Sequence, residues 1–479
     1  LDFRISRNEK GRVRSRVTKN LTKDFPVMLN LPAPIVTALA VFAPLFSRRV
    51  FSSACMLLIG HLTCTGARTI TNFLREIGLS NERRYSRFHD VIRKAKWSSL
   101  KASRLLLQSI VVRWIGEGTL HIIVDSTLER RRGPRIEGLG VHRDATASTK
   151  KRKVLSVGHN WLVFAVLVQF PGAKHVWSLP FLSVLLRPME PLGASRNPKT
   201  PARHKKMTRY VEQVVMQLRR WVGPNINITL TADSAFCSKR ICRTCQKHNV
   251  RLCTRLRLDA SLCDFPPEKK PARGRPRIVG ARLRNLSEIA TDPETSWSRT
   301  LCRWYGGGTR TIEVCTGSCL WYHNSTGKPV PIRWVLTRDP EAQGEVVAIL
   351  CTDPNSSVAD IIGQYVSRWS IEVTFQEIRT HFRFGTSRTW SDLSIERMAP
   401  SIIASFSVTC LIAAEATEQR HDKIQPVTTA WYQKQHVTFS DTLAYVRSLV
   451  PRGSNLTQNE FLAEAGENMN AGIHPRMAC

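Results

Sequence analysis

Three acidic residues sit where they could do chemistry. Asp125 follows the apolar run "LHIIV" and Asp233 follows "INITLTA", each at the expected end of a strand. Strand ends in an α/β sheet converge on one edge, where ligands bind. A carboxylate placed there is partly desolvated and needs a partner. Hard divalent cations, Mg²⁺ or Mn²⁺, are natural partners because they take oxygen ligands and substrate phosphate together. The third acid comes from "YVSRWSIEVTFQEIRTHFRF", Tyr365 to Phe384, which reads as one helix with no Pro or Gly. At 100° per residue, Arg368, Glu372 and Arg379 fall at about 300°, 340° and 320° from Tyr365, so all four share one helix face. Three carboxylates can clamp divalent ions that activate a water or hydroxyl and stabilise a leaving 3′ oxygen. Arg368 and Arg379 would then hold phosphates bidentately. Tyr365 would hydrogen-bond a phosphate or stack on an exposed base. Asp144, Glu129 and Glu377 lie beside basic residues and read as surface charges.

The charge of the chain agrees with a phosphate-bearing substrate. Its 479 residues carry 71 Lys+Arg against 37 Asp+Glu, a formal net charge of +34. Such a body repels itself unless a polyanion screens it, and nucleic acid is the simplest one. An apolar content of 42% allows ordinary globular folding and excludes wholesale disorder. The 13 cysteines are scattered, which argues for reduced thiols rather than a secreted disulfide framework. The apolar stretch Leu31 to Phe46 is broken by Pro34 and Pro44 and is short for a membrane span, so it reads as a buried helix. No membrane partner is expected.

The elements that must position these residues divide the chain as follows. Residues 1–24 are a basic, flexible N-terminus. Residues 25–115 are a helical region expected to bind DNA. Within it, "GARTITNFLREIGLS" and "NERRYSRFHDVIRKAKWS" suit a helix-turn-helix, or equally two members of a helical bundle. Residues 116–258 form the first part of a mixed-sheet α/β core: apolar strands at Leu120, Trp161 and His175, a helix from about Lys205 to Val222, a strand to Asp233, a helix from about Ser238 to His248, and the strand "VRLCTRLRL". Residues 259–352 are a basic loop and a β-rich insertion. Residues 353–415 are the helical remainder of the core, and 416–479 are a C-terminal region.

Three segments, in order, resemble one known family. Tyr365, Arg368 and Glu372 match the Y-x-x-R-x-x-x-E-x(6)-K motif of insertion-sequence DDE transposases, with Arg379 where that family has Lys. "VDSTLERRRG" resembles the family's first-Asp region, "TADSAF" its second, and "RWSIEVTFQEIR" with "TWSDLSIER" its third. The resemblance spans about residues 30–410. It implies an RNase-H-like catalytic core, a catalytic and metal-binding set of Asp125, Asp233 and Glu372, and Mg²⁺ (or Mn²⁺) as cofactor. It implies double-stranded DNA as partner, both the element's inverted repeats and the target, and a homodimer when bound to it. It also implies a bacterial, nucleoid-associated setting in the cytoplasm. Replacing Lys by Arg379 keeps the positive charge and changes its geometry. A catalytically decayed DNA-binding protein and an RNase-H-like nuclease acting on RNA are the rival readings.

Other signals carry less. "RGRPR", Arg273 to Arg277, suits insertion of Arg275 and Arg277 into a narrow minor groove, or a plain basic loop. "CRTC", Cys242 to Cys245, has zinc-ligand spacing but no second pair. "YGGGTR", from Tyr305, lacks the context of a phosphate loop and reads as a hairpin turn. His142 and His159 flank the first hairpin and read as surface or turn residues.

Overall fold

A computed structural model describes residues 31–149, 151–189, 192, 204–267, 277–323, 327–341 and 346–450. The helical region comprises α1 (Ala33–Ala40), α2 (Arg48–Thr63), α3 (Ile70–Glu76), α4 (Ser86–Arg93) and α5 (Ser99–Ile110). The apolar stretch from Leu31 yields only α1, a buried helix, before Pro44 diverts it into a 3₁₀ turn. α3 and α4 are joined by residues 77–85, longer than the roughly three- to four-residue turn of a helix-turn-helix. Each instead buries an apolar side, Ile70, Phe73 and Leu74 on α3 and Phe88 and Val91 on α4.

The sheet begins with β1 (Leu120–Arg130), β2 (Gly140–Arg143), β3 (Leu155–Val168) and β4 (Trp177–Leu186). α6 (Met207–Val222) leads to β5 (Ile228–Ala232), and α7 (Lys239–Lys247) leads to β6 (Val250–Leu256). β1, β3 and β4 are antiparallel neighbours, while β5 and β6 run parallel to β1 on its other side. Two helical crossovers between parallel strands need runs of this length. Three antiparallel strands followed by two helix-linked parallel strands, in the order β4-β3-β1-β5-β6, is the RNase-H-like arrangement.

The later strands continue the same sheet. These are β7 (Leu262–Cys263), then, after α8 (Leu286–Thr291), β8 (Ser298–Arg303), β9 (Thr309–Trp321), β10 (Val330–Arg338) and β11 (Val347–Cys351). β11 pairs with β6, β10 with β11, and β9 with β10, giving one sheet of eleven strands among the described residues. β6 lies between β5 and β11, and its Leu252, Cys253 and Leu256 are buried.

α9 (Val358–Ser367), α10 (Ser370–Phe382), α11 (Asp392–Arg420) and α12 (Phe439–Leu449) complete the fold. α11 is long and apolar enough to cross a membrane, but 72% of its apolar window is buried inside the fold. Arg397 fastens it to the helical region by donating to the carbonyls of Ile92 (3.1 Å), Ala95 (2.7 Å) and Trp97 (2.9 Å). The described cysteines are all free thiols, and Cys242 and Cys245 are buried on α7.

Candidate active site

The expected single helix from Tyr365 is two helices. Trp369 and Glu372 sit in a tightened turn, with the Arg368 amide bonded to Tyr365 O (3.2 Å) and the Glu372 amide to Trp369 O (3.1 Å). These i to i+3 bonds advance the chain faster than the α-helical 100° per residue. Arg368 therefore occupies the junction, and Trp369 is left 51% exposed.

β1 also differs from expectation. It runs five residues past Asp125, because Ser126 to Arg130 stay paired with β3 through Arg130 and Gly158. Asp125 is thus a mid-strand residue. Its neighbour Val124 is in register with Ala232, the last residue of β5, so Asp125 and Asp233 follow paired positions on adjacent parallel strands. Gly158 is required opposite: a Cβ there would lie 2.2 Å from the Glu129 carbonyl oxygen.

Two of the carboxylates meet at one guanidinium, and the third, Asp233, acts on it electrostatically. Arg368 Nη1 lies 3.1 Å from Asp125 Oδ2 and 3.2 Å from Glu372 Oε1. The Ser126 amide donates to Asp125 Oδ1 at 2.7 Å. Burial pushes the Asp125 carboxyl up to about 6; Arg368 and the Ser126 amide pull against this, and the charges of Asp233 and Glu372 add to it. Burial disfavours the charge on Arg368, but Asp125, Asp233 and Glu372 outweigh that and raise it. Tyr365 is raised chiefly by burial, with Arg368 opposing and Asp233 reinforcing. Asp125, Asp233, Glu372, Arg368 and Tyr365 are therefore brought together.

Arg379 stands further along β1. It bonds Thr127 Oγ1 and its guanidinium lies 6.0 Å from the Phe384 ring centre. Arg277 is exposed and Arg275 lies outside the described residues. Two further residues belong to the site's surroundings. Arg255 on β6 acts electrostatically on both Tyr305 and Tyr365. Tyr305, in the hairpin turn between β8 and β9, feels Arg368 and Glu372, and its ring meets Trp369 edge-on at 6.3 Å. The turn itself was legible, since Gly306 and Gly307 take φ of 76° and 75°. Its approach to Trp369 depends on tertiary packing, which spacing does not encode.

Two acids and a histidine expected at the surface are buried. Glu129, 2% exposed, accepts from Arg131 Nη1 (3.1 Å) and Trp161 Nε1 (2.9 Å) and lies 3.7 Å from His159 Nδ1. Burial would raise its carboxyl, but the His159 contact, Arg131 and Trp161 together lower it. His159 is fully buried, its Nε2 against the Glu137 carbonyl at 2.8 Å. Asp144, 1% exposed, is held well below the usual carboxylate range, chiefly by Arg130 at 2.5 and 2.8 Å and also by Ser156 and Thr146. Both acids look like surface charges in sequence because basic residues flank them, whereas most of their partners, Arg130 and Ser156 for Asp144 and Trp161 and His159 for Glu129, arrive from a distance through strand pairing. The same partners are what permit burial. Glu377 is only half-buried and pairs with His381 at 3.0 Å.

Among the described residues, no group of three or more His, Cys, Asp or Glu is arranged to hold a metal ion as it stands. Arg368 lies between Asp125 and Glu372 instead. The donor set nevertheless fits a hard cation, being three carboxylates with one of them destabilised as an anion by burial and by the other two.

Residues 41–311 match a family model described as DDE superfamily endonuclease. The chain belongs to that family. DDE endonucleases generally use divalent metal ions; Asp125 and Asp233 lie within the matched residues and Glu372 beyond them. No curated protein matches the chain. Among similar solved structures is the cryo-EM structure of a piggyBac transposase synaptic complex with hairpin DNA, at 12% identity and a TM-score of 0.39, covering 95% of this chain and 86% of that one.

Proposed function

We propose that this DDE endonuclease is a DNA transposase, which binds the ends of its own element, cuts them, and joins the freed 3′-OH to target DNA. The observation that carries this reading is the meeting of Asp125, Asp233 and Glu372 around Arg368. The net charge of +34 supplies the affinity for a polyanion.

Asp125, Asp233 and Glu372 would hold Mg²⁺ or Mn²⁺. When bound, the ion neutralises charge on the scissile phosphate and lowers the pKa of a water or hydroxyl nucleophile. Arg368 serves two purposes: it balances the carboxylates in the free protein and offers a fork of donors to a phosphate in the complex. Tyr365 donates its hydroxyl to a neighbouring phosphate. Arg379, fixed by Thr127, and Arg255 extend the positive track to either side. Trp369 and Tyr305, 51% and 47% exposed, present aromatic faces to bases freed by cutting. Arg275 and Arg277 would contact flanking DNA. Cutting two ends together calls for two copies of the chain on DNA.

Nicking of supercoiled plasmid in Mg²⁺ or Mn²⁺ tests the reading. Glu372→Gln is expected to lose roughly 100-fold or more in rate, and chelation to abolish nicking, with duplex binding retained. Equal nicking by Glu372→Gln and the wild type would overturn the assignment.

A further inference from the structure

A second concentration of charge lies in the helical region. A cleft of about 1500 Å³ opens between the start of α2, the 77–85 connection and the residues that follow α4. Arg48 and Arg49 line one side, Arg83 and Arg84 another, and Lys94 and Lys96 a third. Two acids also line it, and both are already engaged. Glu82 pairs with Arg87 at 2.9 Å, and Asp90 with Arg93 at 2.9 Å and Lys94 at 3.9 Å. The side chains of Arg48, Arg49, Arg83, Arg84 and Lys96 make no ion pair among the described residues, although the Arg84 amide donates to Glu82 Oε1 at 2.7 Å, and all five residues are exposed.

The cleft is built rather than incidental. Lys94 and Lys96 ride on a loop whose carbonyls at Ala95 and Trp97 are gripped from behind by Arg397, itself 4% exposed and stacked 4.7 Å from the Trp97 ring centre. Holding like charges together costs free energy that an anionic partner would recover. Ser52, Ser86 and Asn81 add neutral donors between the cations.

We infer that this cleft docks the phosphate backbone of duplex DNA, away from the cutting site and without reading sequence. This rests on the proposed action on DNA. No aromatic residue lines the cleft itself, and exposed Tyr85 beside it meets the His89 ring edge-on at 6.1 Å, which favours a closed duplex over a single strand stacked along a row of rings. It also offers no exposed apolar face of the kind a membrane-surface helix needs. The α3–α4 pair, too loosely joined for a helix-turn-helix, thus holds DNA by charge on its connection instead of by a reading helix.

The test is fluorescence anisotropy with a short duplex of scrambled sequence across a salt series, on the full chain. Replacing Arg48, Arg49, Arg83 and Arg84 together by Ala is expected to weaken binding at least tenfold and to flatten the log K against log salt slope by about 3 to 4. Lys at all four positions should restore the slope with the melting temperature unchanged, and the alanine variant, relieved of like-charge repulsion, should melt no lower than wild type. An unaltered slope would overturn the inference, as would a loss confined to one sequence or tighter binding of double-stranded RNA than of DNA. Glu372→Gln serves as the separating control. If it nicks like wild type, the enzyme assignment fails. If it is inactive while the quadruple variant binds normally, the cleft alone fails.

Discussion

At the scale of single residues, the proposed chemistry gives Arg368 two competing tasks. It ion-pairs with Asp125 and Glu372, so a divalent ion entering between those carboxylates must displace part of that pairing. Its Nε is buried without a hydrogen-bond partner among the described residues, which leaves the guanidinium incompletely satisfied where it is. Removing the charge should therefore help the ion and harm the reaction. Arg368→Gln is expected to bind Mn²⁺ severalfold more tightly by calorimetry while nicking at least tenfold more slowly, since a tenfold rate loss is about 1.4 kcal/mol, within reach of one lost charged hydrogen bond. Weaker Mn²⁺ binding by this variant would show that Arg368 supports the carboxylates instead of competing for them.

At the scale of elements, the site depends on holding β1 against the segment that follows α10. Arg131, two residues after Glu129 and in contact with it, donates onward to the Thr389 carbonyl at 2.5 Å, so one buried network spans β1, β3 and that segment. Glu129→Ala would leave Arg131 buried without its carboxylate and Trp161 Nε1 unbonded, an expected loss of about 3–5 kcal/mol in urea unfolding. Glu129→Gln with Arg131→Met should cost less than the two single changes summed. A Glu129→Ala loss under about 1 kcal/mol would refute the bracing role. This network also marks the limit of what the sequence makes legible. Asp233 could be read because β5 ends where its apolar run ends. The extent of β1 could not, because Ser126 to Arg130 look like turn and surface yet are held by pairing with β3. Glu129 and His159 are thirty residues apart in sequence and join only through that pairing, so burial of either was invisible. Likewise Tyr305 and Arg255 come from a turn and a strand with no motif of their own, and packing alone delivers them to the site.

At the scale of the molecule, the helical region and the catalytic core meet over His61. Its ring lies 5.3 Å from Phe73 on α3 and 5.0 Å from Phe382 at the end of α10. Arg68 donates to the carbonyls of both His61 and His381, and Arg447 on α12 donates to Leu62 O at 2.8 Å. Burial lowers the imidazole to about 3, with Arg68 and Arg447 pushing the same way. The imidazole is therefore neutral in the fold but takes a proton near 6.5 once unfolded. Its contribution to stability is fully present above pH 6.5 and is lost as pH falls toward 3, at a limiting slope of about 1.4 kcal/mol per pH unit. Because both regions close on this ring, acid should loosen the seam between them as well as lower the melting temperature. His61→Phe is expected to hold its melting temperature better than wild type between pH 6 and pH 4, with little change at pH 8. Parallel pH profiles for the two proteins would mean that His61 does not govern the seam, and that the carboxylates alone set acid sensitivity.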